Sequence, residues 1–461
     1  MKDLSPLNKP LVHFIGVGGI GISALAQWFL AQKWAISGSD MQDSDLVRNL
    51  QKKGLKFKIG HKKTNIGTKT ALVVYNQAIP ASNPELREAR RRNIPTLTYP
   101  QILGALTRNY KTVAIAGAHG KSTTTALTSL VMIGAGFDPT VIVGTLLKEF
   151  GDSNFRNGKS DWLLIEADEF KMSFHNYSPT YAVITNIDKE HLDVYKNLAN
   201  VKKSFLKFIG NIKAGGILVA NRDDKNLFGL KSRIQKICKK QSIRLIWYRG
   251  GILKYTTPLR RIKKVLKITG QHNVSNALAV YTLARALGIK EKTILKALSG
   301  YRGAWRRMEY RGQFKIQNSK FKIPVYDDYA HHPTEIKATL QAFHEKFPES
   351  DIVCVFQPHQ AHRLKNLFKE FTSAFDLADY LILLPIYQVA GRDKTHRGYT
   401  SADLAKKIKN RGKENIYYLP NPNNLCKFIK KTLNPTSYTL SPVIVMMGAG
   451  NIVNYTASLI K

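Results

Sequence analysis

A glycine-rich turn followed by lysine and serine is the part of this sequence that points most directly to chemistry. Gly117–Ala118–His119–Gly120–Lys121–Ser122 follows an apolar run, Thr112–Ala116, and leads into a helical pattern that ends at Ile133. Glycines let backbone N–H groups turn towards phosphate oxygens, and the positive end of the following helix adds to the attraction. Lys121 would reach the β- and γ-phosphates of a nucleotide, and the Ser122 hydroxyl would face Mg²⁺. The usual pattern has four residues between its glycines and this one has two, but the strand before and the helix after favour an ATP site.

Two further apolar runs end in polar residues of the kind that bind metals. Trp162–Ile165 leads into Glu166, and Ala182–Thr185 leads into a polar stretch that contains His191. Parallel sheets bind ligands at the carboxyl ends of their strands. We therefore expect Ser122, Glu166 and His191 to face one crevice and to hold magnesium beside the ATP.

A second glycine-rich turn lies near the N-terminus. Gly16–Gly21 has the spacing G-x-G-x-x-G between a strand pattern and a helix pattern, and Asp40 follows about one strand later. In a dinucleotide-binding fold that acid holds a ribose, so the turn by itself indicates an NAD(P)-dependent oxidoreductase. The turn specifies only a pyrophosphate site, however, and a sugar nucleotide also has a pyrophosphate. Because a simple dehydrogenase needs no second nucleotide turn, the redox alternative is disfavoured.

Strand patterns alternate with helix patterns along the whole chain, which predicts an α/β protein with parallel sheets. The predicted strands are Val12–Gly16, Ala35–Ser37, Ala71–Tyr75, Thr112–Ala116, Trp162–Ile165, Ala182–Thr185, Gly216–Ala220, Pro324–Tyr326, Ile352–Phe356, Tyr380–Leu384 and Val443–Met447. The predicted helices include Ile22–Gln32, Leu46–Lys53, Ser122–Ile133 and Asn273–Leu287. In the last third, Asp328–Pro333 joins a strand to a helix that Pro333 helps to start. Its acid, phenol and imidazole groups predict a pocket for a small zwitterion.

Bulk composition narrows the class of protein. The 461 residues predict two to four domains, and no apolar run approaches the roughly 20 residues of a membrane-spanning helix. The N-terminal segment shows no signal peptide, and the three cysteines lack metal-site spacing, so we expect a cytoplasmic protein that does not bind membranes. The net charge of +39 would suit a nucleic-acid binder, but no nucleic-acid module accompanies it, so no nucleic-acid partner is expected.

The chain resembles the Mur ligases of peptidoglycan synthesis from about Val12 to its C-terminus. The resemblance is carried by HFIGVGGIGISALA, AGAHGKSTTT, IEADE, TNIDKEHLDVY, GQHNVSNA, DDYAHHPTEI and FQPHQAHR. The family's own phosphate turn has the short spacing between glycines. The resemblance implies three α/β domains: a Rossmann-like domain for a UDP-sugar at 1–110, a central P-loop ATPase-like domain with a parallel or mixed sheet at 111–306, and a Rossmann-like domain for an amino acid at 307–461.

The resemblance also implies roles for individual residues. The diphosphate of the sugar nucleotide would be held by Gly18, Gly19, Ile20 and Gly21, with Asp40 near the uridine. ATP would be held by Gly117, His119, Gly120, Lys121, Ser122 and Thr123, with adenine at Asn273 and Asn276 and phosphate near Arg307. Magnesium would be held by Ser122, Glu166 and His191. The incoming amino acid would lie near Tyr329 and His331, with Arg363 on its carboxylate or on an acyl phosphate. Without the resemblance, Asn273 and Asn276 would be interpreted as amides on a helix surface. The alternative for His332 and His359 is a structural role.

The resemblance implies an ATP-dependent ligase that joins an amino acid to the carboxylate of UDP-N-acetylmuramate, acting as a monomer or homodimer. The stretch Gln357–His359 favours L-alanine as the acceptor. Ala330, in place of a usual glycine, and Gln360–Ala361, in place of Arg-Tyr, leave open the tripeptide L-Ala-γ-D-Glu-meso-diaminopimelate. The reaction needs a base for the amine, and His191 and His331 are the candidates.

Overall fold

The computed structural model describes residues 10–250, 257–315, 322–388, 398–432 and 442–460. Residues 1–9 lie outside the described residues. They include most of the N-terminal segment for which the sequence predicted no signal peptide. The contacts divide the chain into two units. The first holds the described residues up to Glu190, with Val194–Val265 and Ser275–Tyr301. The second holds His191–Asp193, Leu266–Val274 and the described residues from Arg302 onwards.

The N-terminal part of the first unit is a five-stranded parallel sheet with helices between its strands. The strands are β1 (Leu11–Ile15), β2 (Ile36–Asp40), β3 (Lys56–Ile59), β4 (Thr70–Tyr75) and β5 (Thr96–Thr98). The helices are α1 (Ile20–Ala31), α2 (Asp45–Lys52), α3 (Pro84–Arg91) and α4 (Tyr99–Asn109). The strand order is β3-β2-β1-β4-β5. The order reverses between β1 and β4, so ligands are expected at the carboxyl ends of these two strands.

The central segment contains a seven-stranded sheet in the first unit. Its strands are β6 (Lys111–Ala116), β7 (Thr140–Leu147), β8 (Ser153–Arg156), β9 (Trp162–Ala167), β10 (Tyr181–Ile184), β11 (Ile217–Asn221) and β12 (Arg244–Tyr248). The helices of this segment are α5 (Lys121–Gly134), α6 (Leu192–Tyr195), α7 (Leu198–Ile209), α8 (Lys225–Phe228), α9 (Lys231–Lys240), α10 (Thr257–Val265), α11 (Gln271–Ala286) and α12 (Glu291–Gly300). The order is β12-β11-β10-β6-β9-β7-β8. Its pairs are parallel except β7 with β8, which makes the sheet mixed.

The second unit contains a six-stranded sheet. Its strands are β13 (Glu309–Lys315), β14 (Lys322–Asp328), β15 (Ile352–Phe356), β16 (Tyr380–Leu383), β17 (Ile416–Tyr418) and β18 (Val443–Met447), in the order β13-β14-β18-β15-β16-β17. The helices that follow β14 are α13 (Pro333–Lys346), α14 (Ala361–Asn366), α15 (Phe368–Thr372), α16 (Ser401–Lys409), α17 (Leu425–Thr432) and α18 (Ile452–Leu459). Only β13 runs antiparallel to its neighbour among these described strands.

The predicted α/β class with three sheet-containing segments is confirmed. Every predicted strand is present: Ile352–Phe356 and Val443–Met447 have the predicted ends, and the ends of the others differ by at most three residues. The core strands explain this success because they are buried on both faces: Phe14, Ile115 and Val355 are all fully buried. Strands of that kind read as continuous apolar runs in a sequence.

Inside the first unit, buried amides connect the N-terminal sheet to the central one. Gln27 of α1 donates to the side-chain oxygen of Asn154 in β8 at 2.7 Å, and Asn154 donates to Ser23 Oγ at 2.8 Å. All three side chains are buried. Because buried polar groups are costly unless they are paired, these bonds fix how α1 packs against β8.

A buried carboxylate lies near the carboxyl end of β2. Glu85 of α3 is fully buried and accepts hydrogen bonds from Ser39 at 2.6 Å and from the Asn65 amide, and His61 lies 3.4 Å away. Burial raises the pKa of Glu85, but the contacts with His13 and His61, at 3.5 and 3.4 Å, and the hydrogen bonds from Ser39 and Asn65 outweigh it and bring the pKa well below its usual range. The hydrogen bond to Glu85 in turn raises the pKa of His61.

We expect Glu85→Gln to lower the free energy of unfolding by about 2 kcal/mol near pH 5.5, because charge-assisted bonds to a buried group are lost. The depressed pKa of Glu85 gives stability that is present above the ordinary carboxyl value of about 4.3 and is lost as the pH falls. The raised pKa of His61 gives stability that is present below about 6.5 and is lost as the pH rises through its folded value. Urea unfolding between pH 4 and pH 8 should therefore show the largest difference from wild type in the middle of that range.

The control is Glu88→Gln on the same helix, whose carboxylate pairs with the exposed Arg91. Its effect should stay within about 1 kcal/mol, as for other surface pairs. A difference for Glu85→Gln that does not change with pH would contradict the assigned charges.

Candidate active site

The predicted phosphate-binding turn lies between β6 and α5. Gly117 has a φ of 141° and Gly120 a φ of 83°, backbone conformations that favour glycine. Side chains after β10 hold the turn in shape: Asn186 Oδ1 accepts the N–H of His119 at 2.8 Å, and Thr185 Oγ1 donates to the His119 carbonyl at 2.7 Å. The first N–H groups of a helix have no partner within it, so those of α5 are suited to bind an anion. The sequence analysis assigned no role to Thr185 or Asn186 beyond their position at a strand end.

Lys121 is held against the turn. Its Nζ donates to the Gly117 carbonyl at 2.7 Å and to Glu169 Oε2 at 2.9 Å. Burial lowers the pKa of Lys121, but the charges of Glu169, Asp168 and Glu166 outweigh this effect and raise the pKa overall. Lys121 therefore stays charged, as a phosphate-binding lysine must. Glu169, which is 1% exposed, is a site residue that the sequence analysis missed.

Ser122 and Glu166 lie side by side in the first unit. Glu166 of β9 accepts a hydrogen bond from the Ser122 hydroxyl and, at 2.7 Å, another from the N–H of Gly144. A Cβ on Gly144 would come within 2.8 Å of the carboxylate, so β7 packs tightly on that side. Burial raises the pKa of Glu166, although the bonds from Gly144 and Ser122 and the charge of Lys121 oppose it. A bound cation would favour the ionised form, and hydroxyl and carboxylate oxygens are ligands that Mg²⁺ prefers.

The other candidates for the nucleotide site divide between the two units. Asn276 belongs to the first unit and lies against the turn, because a Cβ on Gly120 would come within 2.6 Å of its side-chain oxygen. Thr123 is buried in the first turn of α5. Asn273 and His191 belong to the second unit; the Asn273 amide donates to a backbone carbonyl at 2.7 Å, and His191 has a left-handed φ of 53°. Both asparagines are buried, so they are not ordinary surface amides, and the predicted roles of these residues stay predictions.

The first glycine-rich turn lies between β1 and α1, and Asp40 at the end of β2 shapes it. Asp40 Oδ2 accepts the N–H of Gly18 at 2.9 Å, and the N–H of Gly19 donates to a carbonyl within the turn at 3.2 Å. With these two groups bonded inside the protein, the start of α1, at Ile20 and Gly21, offers N–H donors to a diphosphate. The contact between Asp40 and the turn was not predicted from the sequence, and its place near uridine stays a prediction.

In the second unit, the predicted amino-acid pocket lies between β14 and α13. Helix α13 begins at Pro333 as predicted, and His332 Nδ1 accepts the N–H of Thr334 at 3.3 Å, a capping contact that supports a structural role for His332. The buried Asp328 holds the connecting loop: its two oxygens accept the N–H groups of Ala330 and Met308, each at 2.9 Å.

Aromatic and cationic groups cluster on this loop. The guanidinium groups of Arg306 and Arg307 lie 5.1 and 5.2 Å from the ring centre of Tyr329, within the range of cation–π attraction. His331 Nδ1 lies 2.9 Å from the Tyr329 carbonyl and 3.2 Å from Glu335 Oε2. The sequence analysis named Arg307, Tyr329 and His331, but it missed Glu335.

Arg363 joins this cluster through His359. The Arg363 guanidinium donates to the His359 carbonyl at 3.1 Å and lies 3.2 Å from its Nδ1. The rings of His359 and His331 are 6.0 Å apart, and His359 stacks on Tyr387. The structure therefore brings together Tyr329, His331 and Arg363, the three residues predicted to face the amino acid.

The arrangement is that of an ATP-dependent ligase. It has three β-sheets with helices between their strands, a phosphate turn with an adjacent serine–carboxylate pair, and a cluster of arginine, tyrosine and histidine. The chain belongs to the Mur ligase family. The family's "Mur ligase family, catalytic domain" matches residues 11–111, its "Mur ligase middle domain" matches 115–284, and its "Mur ligase, glutamate ligase domain" matches 306–450. The family predicted from the sequence is thus confirmed.

Two sequence relatives and one solved structure have the same enzyme name. The chain is 37% identical to the UDP-N-acetylmuramate–L-alanine ligase of Agathobacter rectalis, over 98% of each chain. It is 39% identical to the ligase of the same name from Aquifex aeolicus, over 86% of this chain and 87% of that one. Among solved structures, the UDP-N-acetylmuramate–alanine ligase of Thermotoga maritima superimposes with a TM-score of 0.76 at 27% identity over 98% of both chains. None of the described helices is long and apolar enough to cross a membrane.

Proposed function

We propose that this protein joins L-alanine to the carboxylate of UDP-N-acetylmuramate and converts ATP to ADP and phosphate, a step in building peptidoglycan precursors. The observation that carries the proposal is the Ser122–Glu166 pair beside the Gly117–Lys121 turn, in a chain whose relatives over nearly its whole length bear that activity in their names. ATP as the energy source follows from the family. We further assign the UDP-sugar to residues 1–110, ATP to 111–306 and the amino acid to 307–461, and we place the activity in the cytoplasm, where ATP is made.

Magnesium is part of the proposal. Ser122 and Glu166 would hold it, with His191 as a further ligand. These residues fit magnesium because the hydroxyl of Ser122 and the carboxylate of Glu166 are two neighbouring oxygen ligands. Burial raises the pKa of Glu166, and a divalent cation would stabilise its ionised form. When bound, the ion would neutralise charge on the transferring phosphoryl group.

The proposed reaction has two steps. The γ-phosphoryl group of ATP passes to the sugar acid's carboxylate, and the N–H groups at the start of α5 and the ammonium of Lys121 stabilise its charge. The amine of alanine then attacks the acyl phosphate, and phosphate leaves as the amide forms. Arg363 and Arg307 would hold the alanine carboxylate and the phosphate by charge-assisted hydrogen bonds. Catalysis thus rests on positioning and charge rather than on a protein nucleophile.

The tripeptide-adding activity is the second candidate, which Ala330 and the Gln360–Ala361 pair left open. In the structure Ala330 is fully buried in the apolar core of the second unit, with Ile336, Leu340 and Phe356 in the same cluster. Its methyl group therefore fills core space, which favours a packing role for Ala330 over a role in choosing the acceptor. A structure of a murein peptide ligase from Psychrobacter arcticus has a TM-score of 0.68 at 20% identity, a likeness of fold alone. The names of the relatives leave alanine as the favoured acceptor and disfavour the redox alternative.

The test is phosphate release from ATP by the purified full chain with Mg²⁺ and UDP-N-acetylmuramate. L-alanine and L-Ala-γ-D-Glu-meso-diaminopimelate are supplied separately, and the product is identified by mass spectrometry. We expect release and product with alanine and neither with the tripeptide. Product with the tripeptide alone would replace the proposal by the second candidate, and no product with either acceptor would overturn it.

A further inference from the structure

Glu335 lies in the first turn of α13, where its carboxylate contacts two predicted site residues. Oε2 accepts the backbone N–H of His331 at 3.1 Å and lies 3.2 Å from its ring nitrogen Nδ1. Oε1 lies 3.7 Å from a guanidinium nitrogen of Arg307. The side chain is only 10% exposed. One carboxylate therefore fixes both the main chain and the ring of His331 and ties them to Arg307.

The contacts at Nδ1 decide where His331 carries its hydrogen. The Tyr329 carbonyl, 2.9 Å from Nδ1, can only accept a hydrogen bond, and an ionised Glu335 likewise only accepts. Nδ1 must therefore be the donor, and in the neutral ring the lone pair lies on Nε2. This tautomer is assigned from the hydrogen-bond network.

We propose that His331 is the base that takes the proton from the incoming amino group and that Glu335 is its positioning residue. The inference rests on the proposed ligase function. The amino acid arrives as an ammonium ion, and one N–H proton passes to His331 Nε2, which leaves a lone pair on the amine nitrogen. That nitrogen forms a bond to the acyl carbon, and the bond from carbon to the phosphate oxygen then breaks, with its electron pair leaving on phosphate. A second N–H proton passes to the departing phosphate, so that the amide keeps one hydrogen on nitrogen.

Glu335 serves this step in two ways. Its negative charge stabilises the imidazolium that forms when Nε2 accepts the proton, as a carboxylate behind a catalytic histidine does in other enzymes. Its bond to the backbone N–H holds the loop from which the ring projects, so the orientation of the ring is set before the substrate binds. Arg307 on the opposite oxygen favours the ionised form of Glu335 that both tasks need.

The test compares two acceptors in the full-length enzyme. L-alanine is protonated at neutral pH and needs a base, whereas hydroxylamine is largely neutral there and traps an acyl phosphate without one. We expect Glu335→Gln to lower kcat with alanine by about 100-fold, the size of a general-base contribution, with little change in KM for ATP. Its rate of hydroxamate formation should remain within a few-fold of wild type, as should that of His331→Gln. Glu335→Asp should regain part of the alanine rate.

The matched control is Glu345→Gln, which makes the same change at an exposed position of α13 and should match wild type with both acceptors. Thermal unfolding of each variant shows whether it is folded. An equal loss with alanine and hydroxylamine in a folded Glu335→Gln, or no loss with either, would overturn the inference. Wild-type enzyme that forms hydroxamate but no alanine product would instead refute the acceptor in the proposed function.

Discussion

Lys121→Ala should lower the rate of alanine ligation by at least about 1,000-fold, because the charge that stabilises the transferring phosphoryl group is removed from a preorganised site. Phosphate release under saturating substrates measures this effect. The substitution should also destabilise the fold by about 3 kcal/mol, since it leaves the carboxylate of Glu169, which is 1% exposed, without its 2.9 Å cationic partner. Urea unfolding measures the second effect.

A double variant separates these two effects. Lys121→Met combined with Glu169→Gln removes both charges, so we expect most of the lost stability to return while ligation remains absent. A folded Lys121→Ala protein that ligates alanine within tenfold of the wild-type rate would remove the turn from the ATP site. Recovery of activity in the double variant would show that Lys121 acts only by neutralising Glu169.

Gly117→Ala should disable the nucleotide site by a different physical route. A Cβ at this position would lie 2.0 Å from Thr185 Oγ1 and 3.2 Å from the backbone nitrogen of Asn186, so the two residues that shape the turn must move. Displacements of about 1 Å in a catalytic site cost roughly 100-fold in rate. We expect kcat/KM for ATP to fall by about that factor, and the free energy of unfolding to fall by about 2–4 kcal/mol from overpacking and backbone strain.

Gly136→Ala is the matched control, since Gly136 has a left-handed φ of 81° but nothing lies within 4 Å of the Cβ position. It should lose about 1 kcal/mol from the backbone alone, with unchanged kinetics. If both variants lose stability equally and Gly117→Ala keeps the wild-type kcat/KM for ATP, the close contact with Thr185 does not control the turn.

The elements that were predicted from the sequence share one property: the pattern that indicates each of them lies within a short segment of the chain. Strand β6 is an apolar run because both of its faces are covered, and the glycines after it are needed for left-handed backbone at fixed positions. The strands that escaped prediction include β3 and β8, at sheet edges. Strand β3 reads KFKI with three exposed residues, so its partner β2 rather than its own pattern determines its conformation.

The residues of the candidate site were likewise predictable from local patterns, whereas the contacts between them were not. The sequence pointed to Lys121, Ser122 and Glu166 because each stands at the end of a recognisable strand or the start of a helix. It did not indicate that Lys121 pairs with Glu169, 48 residues away, or that Asp40 holds the N–H of Gly18. Those contacts join segments distant in the chain, and no local pattern encodes them.

By itself, then, the sequence determined the α/β class, the two phosphate turns, the family and the residues from which the site is built, because strand periodicity, helix starts and glycine backbone preferences are properties of short segments. Only the tertiary structure decided which charges meet. It placed the Glu335 carboxylate 3.2 Å from Nδ1 of His331 and buried Ala330 in an apolar core, and the sequence indicated neither arrangement. The physical reason is that hydrogen bonds and burial depend on distances in space, which folding sets between residues far apart in the chain.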